Sequence, residues 1–186
     1  YPGWICPLLR YHPPALTPMV GGVRCGTQAG AGRALRGAGR PRLQPGYQDD
    51  QGGIPGLSAR CVPGAGLGGG DLHACMGDGE LSGTGIETPG RICIKTTVYR
   101  DRPVERPVIE TADALYFVAS AETLEESIRL AVSDTAAFLE KKLGLDFPDA
   151  YRLLSATCDI QISQVVNDWK TVRVRCPKLD TKIETL

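Results

Sequence analysis

At 186 residues, with 21 basic and 21 acidic side chains, the chain is long enough for one domain with a sizeable core. Its zero formal net charge argues against a dominant nucleic-acid or membrane-surface partner. The average conceals two regimes: no Asp or Glu precedes Asp49, six arginines (Arg10, Arg24, Arg33, Arg36, Arg40 and Arg42) lie before it, and Gly144 is the single glycine after Gly90. Only the second half has the composition of an ordinary globular sequence. Seven cysteines form no CxxC pair and no Cys/His cluster at zinc-finger spacing, which favours reduced thiols in a cytoplasmic protein over a disulfide framework. No apolar run is long enough to span a membrane, and no basic-then-apolar signal segment appears. The chain begins at Tyr1 rather than Met, so a fragment is expected.

Residues 22–61 are dominated by Gly, Ala and Arg, sustain neither a helical nor a strand period, and are expected to be irregular. His12, between Tyr11 and Pro13, reads as a loop residue, and Trp4 and Trp169 as packing residues. Gly64, Gly66 and Gly69 satisfy GxGxxG, but the strand before and helix after that a dinucleotide site needs are not evident.

The stretch GDLHACMGDGELSGTGIE, Gly70 to Glu87, gathers Asp71, His73, Asp78, Glu80 and Glu87 among glycines, with Glu110 further on. Asp71 and His73 are two apart, so an extended strand would project both to one face, and Asp78 and Glu80 share that spacing across a turn. Imidazole with carboxylate oxygens suits zinc or a similar cation, although a histidine near acids is more often a hydrogen-bonded surface residue. Gly77, Gly79, Gly83 and Gly85 serve either as turn residues or as places where a small substrate reaches the backbone. Cys75 reads as a small buried thiol, since no base partner is fixed by spacing.

RICIKTTVY, residues 91–99, alternates as a strand, and VIET (108–111) and ALYFVAS (114–120) predict two more after the break at Pro103 and Pro107. Thr123 and Glu126 stand at capping-box spacing ahead of an apolar stripe (Leu124, Ile128, Ala131, Val132, Thr135, Phe138, Leu139, Leu143), and Gly144 ends the helix behind Lys141 and Lys142. Asp146 caps a short helix from Phe147 to Ser155, with Pro148 tolerated in its first turn. DIQIS (159–163) and TVRVRC (171–176) predict the last strands. The fold class is therefore α/β, a mixed β-sheet with one long and one short C-terminal helix and an irregular N-terminal part, and no solenoid repeat is visible. The expected divisions are an irregular 1–61, a domain over 62–178 and a frayed polar tail at 179–186.

The Gly70 to Glu87 segment resembles the GD-[LV]-HA-x-x-GDGE-x-x-G-T-x-IE segment of the acetamidase/formamidase family of small-amide hydrolases. The resemblance continues through YFVASAETLEESIRLAVSDTAAFLEKKLGL and DAYRLLSATCDIQISQVVNDWKTVRV, and so covers about Val62 to Lys178. It implies hydrolysis of short aliphatic amides to a carboxylate and ammonia, with a divalent metal such as zinc, a small-molecule amide as partner, and a homo-oligomeric assembly. The roles it suggests are His73 and Glu80 as metal ligands, with Asp71 either ligating too or orienting His73, Asp78 or Glu87 as the group that moves the water proton, and glycine N–H groups at the oxyanion. Gly77, Gly79, Gln161 and Gln164 would bind substrate, Gln161 and Gln164 lying with Ser163 in the family's end motif. A non-catalytic remnant that oligomerises or binds a partner is the alternative.

Pro18 to Gly21 resembles the family's PM-[VI]-G and residues 62–65 its VPGA at a fitting distance, but the residues between do not match. Back-translation read from the second base makes Gln44 to Cys61 compatible with NLDTKMIKEGSRVYLPV, Pro41 and Arg42 with HG, and Arg24 to Thr27 with GVAP. The family carries GVAP, HGGN-[ML]-D and YLPV in this order, and Leu43 alone cannot supply the second Gly of HGGN. Residues 22–61 are therefore expected to be an out-of-frame translation between two compensating insertions or deletions. A genuine Arg/Gly-rich disordered segment is the other reading.

Overall fold

The computed structural model describes residues 16–25, 56–57, 67–97 and 105–178. Among them, strands β1 (Met19–Cys25), β2 (Gly56–Leu57), β3 (Leu67–Cys75), β4 (Ile86–Glu87), β5 (Val108–Glu110) and β6 (Ala114–Ala121) are followed by helices α1 (Leu124–Leu143) and α2 (Phe147–Thr157) and strands β7 (Asp159–Gln164) and β8 (Lys170–Pro177). They form a three-stranded sheet of order β1-β3-β4 and a five-stranded sheet of order β2-β5-β6-β8-β7, with antiparallel pairing throughout. The α/β class and both C-terminal helices are as the periodicity predicts. Strand β1 lies before the expected 61/62 boundary and pairs across it with β3, Met19 opposite His73 and Val20 opposite Leu72. Most of residues 22–61, together with His12, Trp4 and the 179–186 tail, lies outside the described residues.

Helix α1 starts where the sequence says it should. The Thr123 side chain accepts the Glu126 N–H, Glu125 and Glu126 occupy the first turn, and Gly144 closes the last in a left-handed conformation (φ 67°) with its N–H on the Glu140 carbonyl. Its buried face is made of Ser127, Ala131, Thr135, Ala136 and Leu139, mostly small side chains that let the helix lie close over β6 and β8. Ser127 was outside the apolar stripe because of its hydroxyl; buried, that hydroxyl donates to the Lys170 carbonyl at 2.8 Å. Helix α2 is capped by Asp146, which accepts the Asp149 N–H, and runs to Thr157.

The register of β6 on β8 places Leu115 opposite Cys176, Phe117 opposite Val174 and Ala119 opposite Val172. Leu115, Phe117 and Cys176 meet Leu139, Ala150 and Leu154 in one core cluster, Ala119, Val172 and Val174 pack with Ala131 in another, and Phe138 packs on Phe117 with ring centroids 5.2 Å apart. Two expectations fail. Residues 91–97 form no strand, and 98–99 lie outside the described residues; Ile94 stays 46% exposed, with its Cδ1 near Gly69, where an added Cβ would meet it at 3.2 Å. Trp169 stands in the turn before β8 and stays 39% exposed rather than packed away.

Candidate metal centre

Strand β3 carries Asp71 and His73, and the two-residue strand β4 lays Glu87 opposite His73. The ligand atoms of Asp71, His73 and Glu87 all lie within 4.8 Å of one another, a group that could hold a metal ion. The pair 71/73 shares a site, though not through plain strand alternation, because Asp71 has φ 62°. Asp71 and Glu80 (φ 45°) are the two non-glycine residues of positive φ among the described residues. Such conformations cost about 1–3 kcal/mol each and persist where surrounding structure holds them.

His73 is 1% exposed. Its Nε2 lies 2.9 Å from Glu87 Oε1 and 3.7 Å from Glu80 Oε1, within ion-pair reach. The 2.9 Å contact nevertheless lacks hydrogen-bond geometry, and neither ring nitrogen makes a hydrogen bond among the described residues. A buried imidazole left this way is costly, and a cation taken by one nitrogen relieves the cost. The residues therefore fit a metal such as zinc in donor type, since one imidazole and two carboxylates are borderline-to-hard ligands.

Space around the imidazole is set by glycine. A Cβ on Gly85 would come within 2.5 Å of His73 Cδ2 and 2.8 Å of the Cys75 carbonyl, and one on Gly21 within 2.7 Å of Asp71 Oδ2. Both positions permit only the close approach that glycine allows.

The loop between β3 and β4 rests on the five-stranded sheet. Gly79 bridges Gln164 in parallel fashion, its N–H donating to the Ser163 carbonyl at 3.3 Å and its carbonyl accepting from Val165 N–H at 3.1 Å. Glu80, 7% exposed, accepts at Oε2 from Gln164 Nε2 at 2.8 Å, while Gln164 Oε1 is buried without a hydrogen bond. Asp78 turns elsewhere: both its oxygens accept from Arg173 Nη2 at 2.9 Å. The same guanidinium donates from Nε to Gln161 Oε1 at 2.7 Å and from Nη1 to Ser163 Oγ at 3.3 Å.

The structure thus brings together Asp71, His73 and Glu87, with Glu80 and Gln164 beside them. Glu80, expected as a ligand, lies next to the triad, and Glu87, expected as a proton carrier, is within it. Asp78 and Glu80 do not share a face as their spacing suggested, and Gln161 is engaged by Arg173 rather than turned to the imidazole. Gly77 is exposed, and the Gly79 N–H is already committed. Glu110 pairs with Lys178 at 2.5 Å, and Cys75 is half-buried.

Sequence reasoning missed Arg173. In an alternating β8 it falls on the face opposite Val172 and Val174 and reads as solvent-exposed, yet the 77–80 loop covers that face and leaves it 7% exposed.

No curated protein matches the chain significantly. Among solved structures, it is 31% identical to a recombinant predicted acetamidase/formamidase from Thermoanaerobacter tengcongensis, with a TM-score of 0.69 over 87% of this chain and 54% of that one. An acetamidase from Bacillus halodurans is also 31% identical, with a TM-score of 0.66 over 87% of this chain and 55% of its own. An acetamidase from Yersinia enterocolitica, 24% identical with a TM-score of 0.61 over 88% of this chain and 49% of its own, shares the fold. The chain spans about half the length of these structures. The profile of the Acetamidase/Formamidase family matches residues 60–177, the segment that holds the triad, and the chain belongs to that family.

Proposed function

We propose that this chain carries part of a metal-dependent hydrolase of short aliphatic amides, formamide or acetamide, with a divalent cation, zinc first among the candidates, held by Asp71, His73 and Glu87. The observation that carries this reading is the buried His73 ring, without hydrogen bonds and between carboxylates, in a chain of this family. A bound divalent cation supplies Lewis-acid polarisation of the amide carbonyl and a water acidic enough to ionise near neutral pH.

The protein's own groups supply the rest. Glu80, steadied at Oε2 by Gln164, would take the proton of the attacking water at Oε1 and return it to the departing nitrogen, because an amide anion is not expelled unprotonated. Gln164 Oε1, buried and without a donor, would accept from the substrate NH2 group and orient it. Asp78 suits the proton-carrying role less well, since both its oxygens are engaged by Arg173; together these two residues would hold the loop that presents Glu80.

Ammonia release from formamide and acetamide, measured before and after chelation and zinc re-addition, tests this in the wild-type chain and in His73→Ala. Turnover that requires metal and disappears in the variant is expected. Alanine at His73 leaving both metal content and turnover unchanged would sink the assignment. Retained folding with no metal uptake and no turnover would favour a non-catalytic remnant. A cytoplasmic location and a homo-oligomeric state belong to the same proposal, and light scattering of the purified chain tests the latter.

The out-of-frame origin of residues 22–61, and with it the division into 1–61, 62–178 and 179–186, is likewise a proposal. The nucleotide sequence over codons 18–66, read in three frames, is its test. HG-x-NLDTK followed by YLPV in the shifted frame is expected; a frame without them makes the Arg/Gly segment genuine.

A further inference from the structure

Away from the metal centre, two cysteines meet where α2 passes into β7. Asp159 pairs with Arg175 in the antiparallel ladder, so the next step outward sets Cys158 opposite Cys176. Cys158 already has extended backbone (φ −102°, ψ 148°) and continues the strand. Directly opposed residues of an antiparallel pair share a face with Cβ atoms about 4.5–5.5 Å apart. That range begins where the roughly 3.5–4.5 Å Cβ separation of disulfides ends, so little movement is needed to join them.

Cys158 packs against the core cluster that contains Cys176, whose Sγ lies 3.9 Å from the Pro177 carbonyl oxygen. Their exposure is unequal. Cys176 is 1% exposed, sealed in with Leu115, Leu139 and Leu154, whereas Cys158 is half-buried at the seam. The neighbouring Cys176 thiol is the main influence pulling the Cys158 thiol down to about 7, with the Thr157 hydroxyl, 3.7 Å from its sulfur, and Arg175 assisting against burial and Asp159. Cys176 is pushed up, by Cys158 beside it and by burial, and keeps its proton.

We propose that Cys158 and Cys176 are a peroxide-sensitive dithiol, in which Cys158 is the attacking sulfur and Cys176 the resolving one. In the first step the Cys158 thiolate attacks one oxygen of hydrogen peroxide; the S–O bond forms as the O–O bond breaks, and the released hydroxide takes a proton to become water. In the second, the Cys176 sulfur attacks the Cys158 sulfenic acid; the S–S bond forms as the S–O bond breaks, and the Cys176 proton leaves with the hydroxide as a second water. Two thiols are oxidised and one peroxide is reduced, so the balance closes. The bond would tie the end of α2 to β8 and enclose 158–176, the segment that holds β7 and therefore Gln164 beside the metal centre. This inference does not depend on the amidase reading.

The test treats the native chain with equimolar hydrogen peroxide, alkylates remaining thiols after denaturation, and maps tryptic peptides. The expected result is a cross-link between peptides 153–170 and 176–178, two hydrogens lighter than their sum, with none in Cys158→Ser. Cys176→Ser should stop at a Cys158 sulfenic acid that dimedone traps. A wild-type map in which Cys158 stays alkylatable, or joins a different cysteine, overturns the proposal. Because Cys176 lies in the core, that wild-type map decides alone if Cys176→Ser does not fold.

Discussion

The five-stranded sheet with its two helices and the small β1-β3-β4 sheet are built by opposite means. The first takes its order from repetition: an apolar β6 beside an alternating β8, a 20-residue helix with a cap at each end, and a core in which Phe117, Leu139 and Leu154 interlock. The second has few large apolar side chains and places Asp71 and His73 by close backbone approach at Gly21 and Gly85 respectively and by strained backbone at Asp71 and Glu80. Strain needs an anchor, and the larger sheet provides it through Arg173 on Asp78, the Ser163 carbonyl on Gly79 and Gln164 on Glu80. One half supplies free energy and the other spends it on geometry.

Substitutions can separate the two. The largest effect belongs to the core: Leu139→Ala, at a fully buried site, should cost about 2–5 kcal/mol in urea unfolding while leaving metal uptake by the folded fraction unchanged. Loss of metal without loss of stability would erase the division. Next comes Gly85→Ala, whose new methyl group meets His73 and the Cys75 carbonyl; overpacking should cost about 1–3 kcal/mol, and metal affinity should fall roughly 10–100-fold, the scale for disturbing groups that orient a ligand. Calorimetric titration with zinc reads the second quantity, and undiminished affinity would show that the glycine does not set the site.

Thr123→Ala removes the acceptor at the start of α1 and should lower stability by about 1 kcal/mol, with the metal centre untouched. The smallest effect concerns pH. The hydrogen bond from Arg175 holds the Asp113 carboxyl below its ordinary 3.8, with Thr111 assisting. A depressed folded-state pKa gives stability that is present above the unfolded value and lost as pH falls through the folded one. Asp113→Asn should therefore flatten the stability profile below about pH 4. Because this pair is exposed, the change should stay under about 1 kcal/mol and shrink with salt. An unchanged acid slope would remove Asp113 from the account.

The larger sheet was legible because its signals are local. Thr123, Gly144 and Asp146 mark helix ends by chemistry that acts within one turn, and neither the apolar run of β6 nor the alternation of β8 needs distant information. The candidate metal centre was legible in composition but only partly in arrangement. Asp71, His73 and Glu87 were all named, yet which of Glu80 and Glu87 joins the triad depends on which of them β4 lays against His73, a pairing across the loop that spacing does not encode. Arg173 was invisible for the same reason, since the loop that covers it lies 95 residues away along the chain. The strand expected at 91–99 shows the converse error, an alternation with no partner strand beside it over the described residues 91–97.

The account stands or falls on whether His73 belongs to a metal centre. Purified wild-type chain and His73→Ala, each dialysed against zinc and then against buffer, can be assayed for bound metal by plasma emission spectrometry, with circular dichroism confirming that both are folded. The prediction is close to one zinc per wild-type chain and essentially none in the variant. Equal metal in both, or none in a folded wild-type chain, would contradict it.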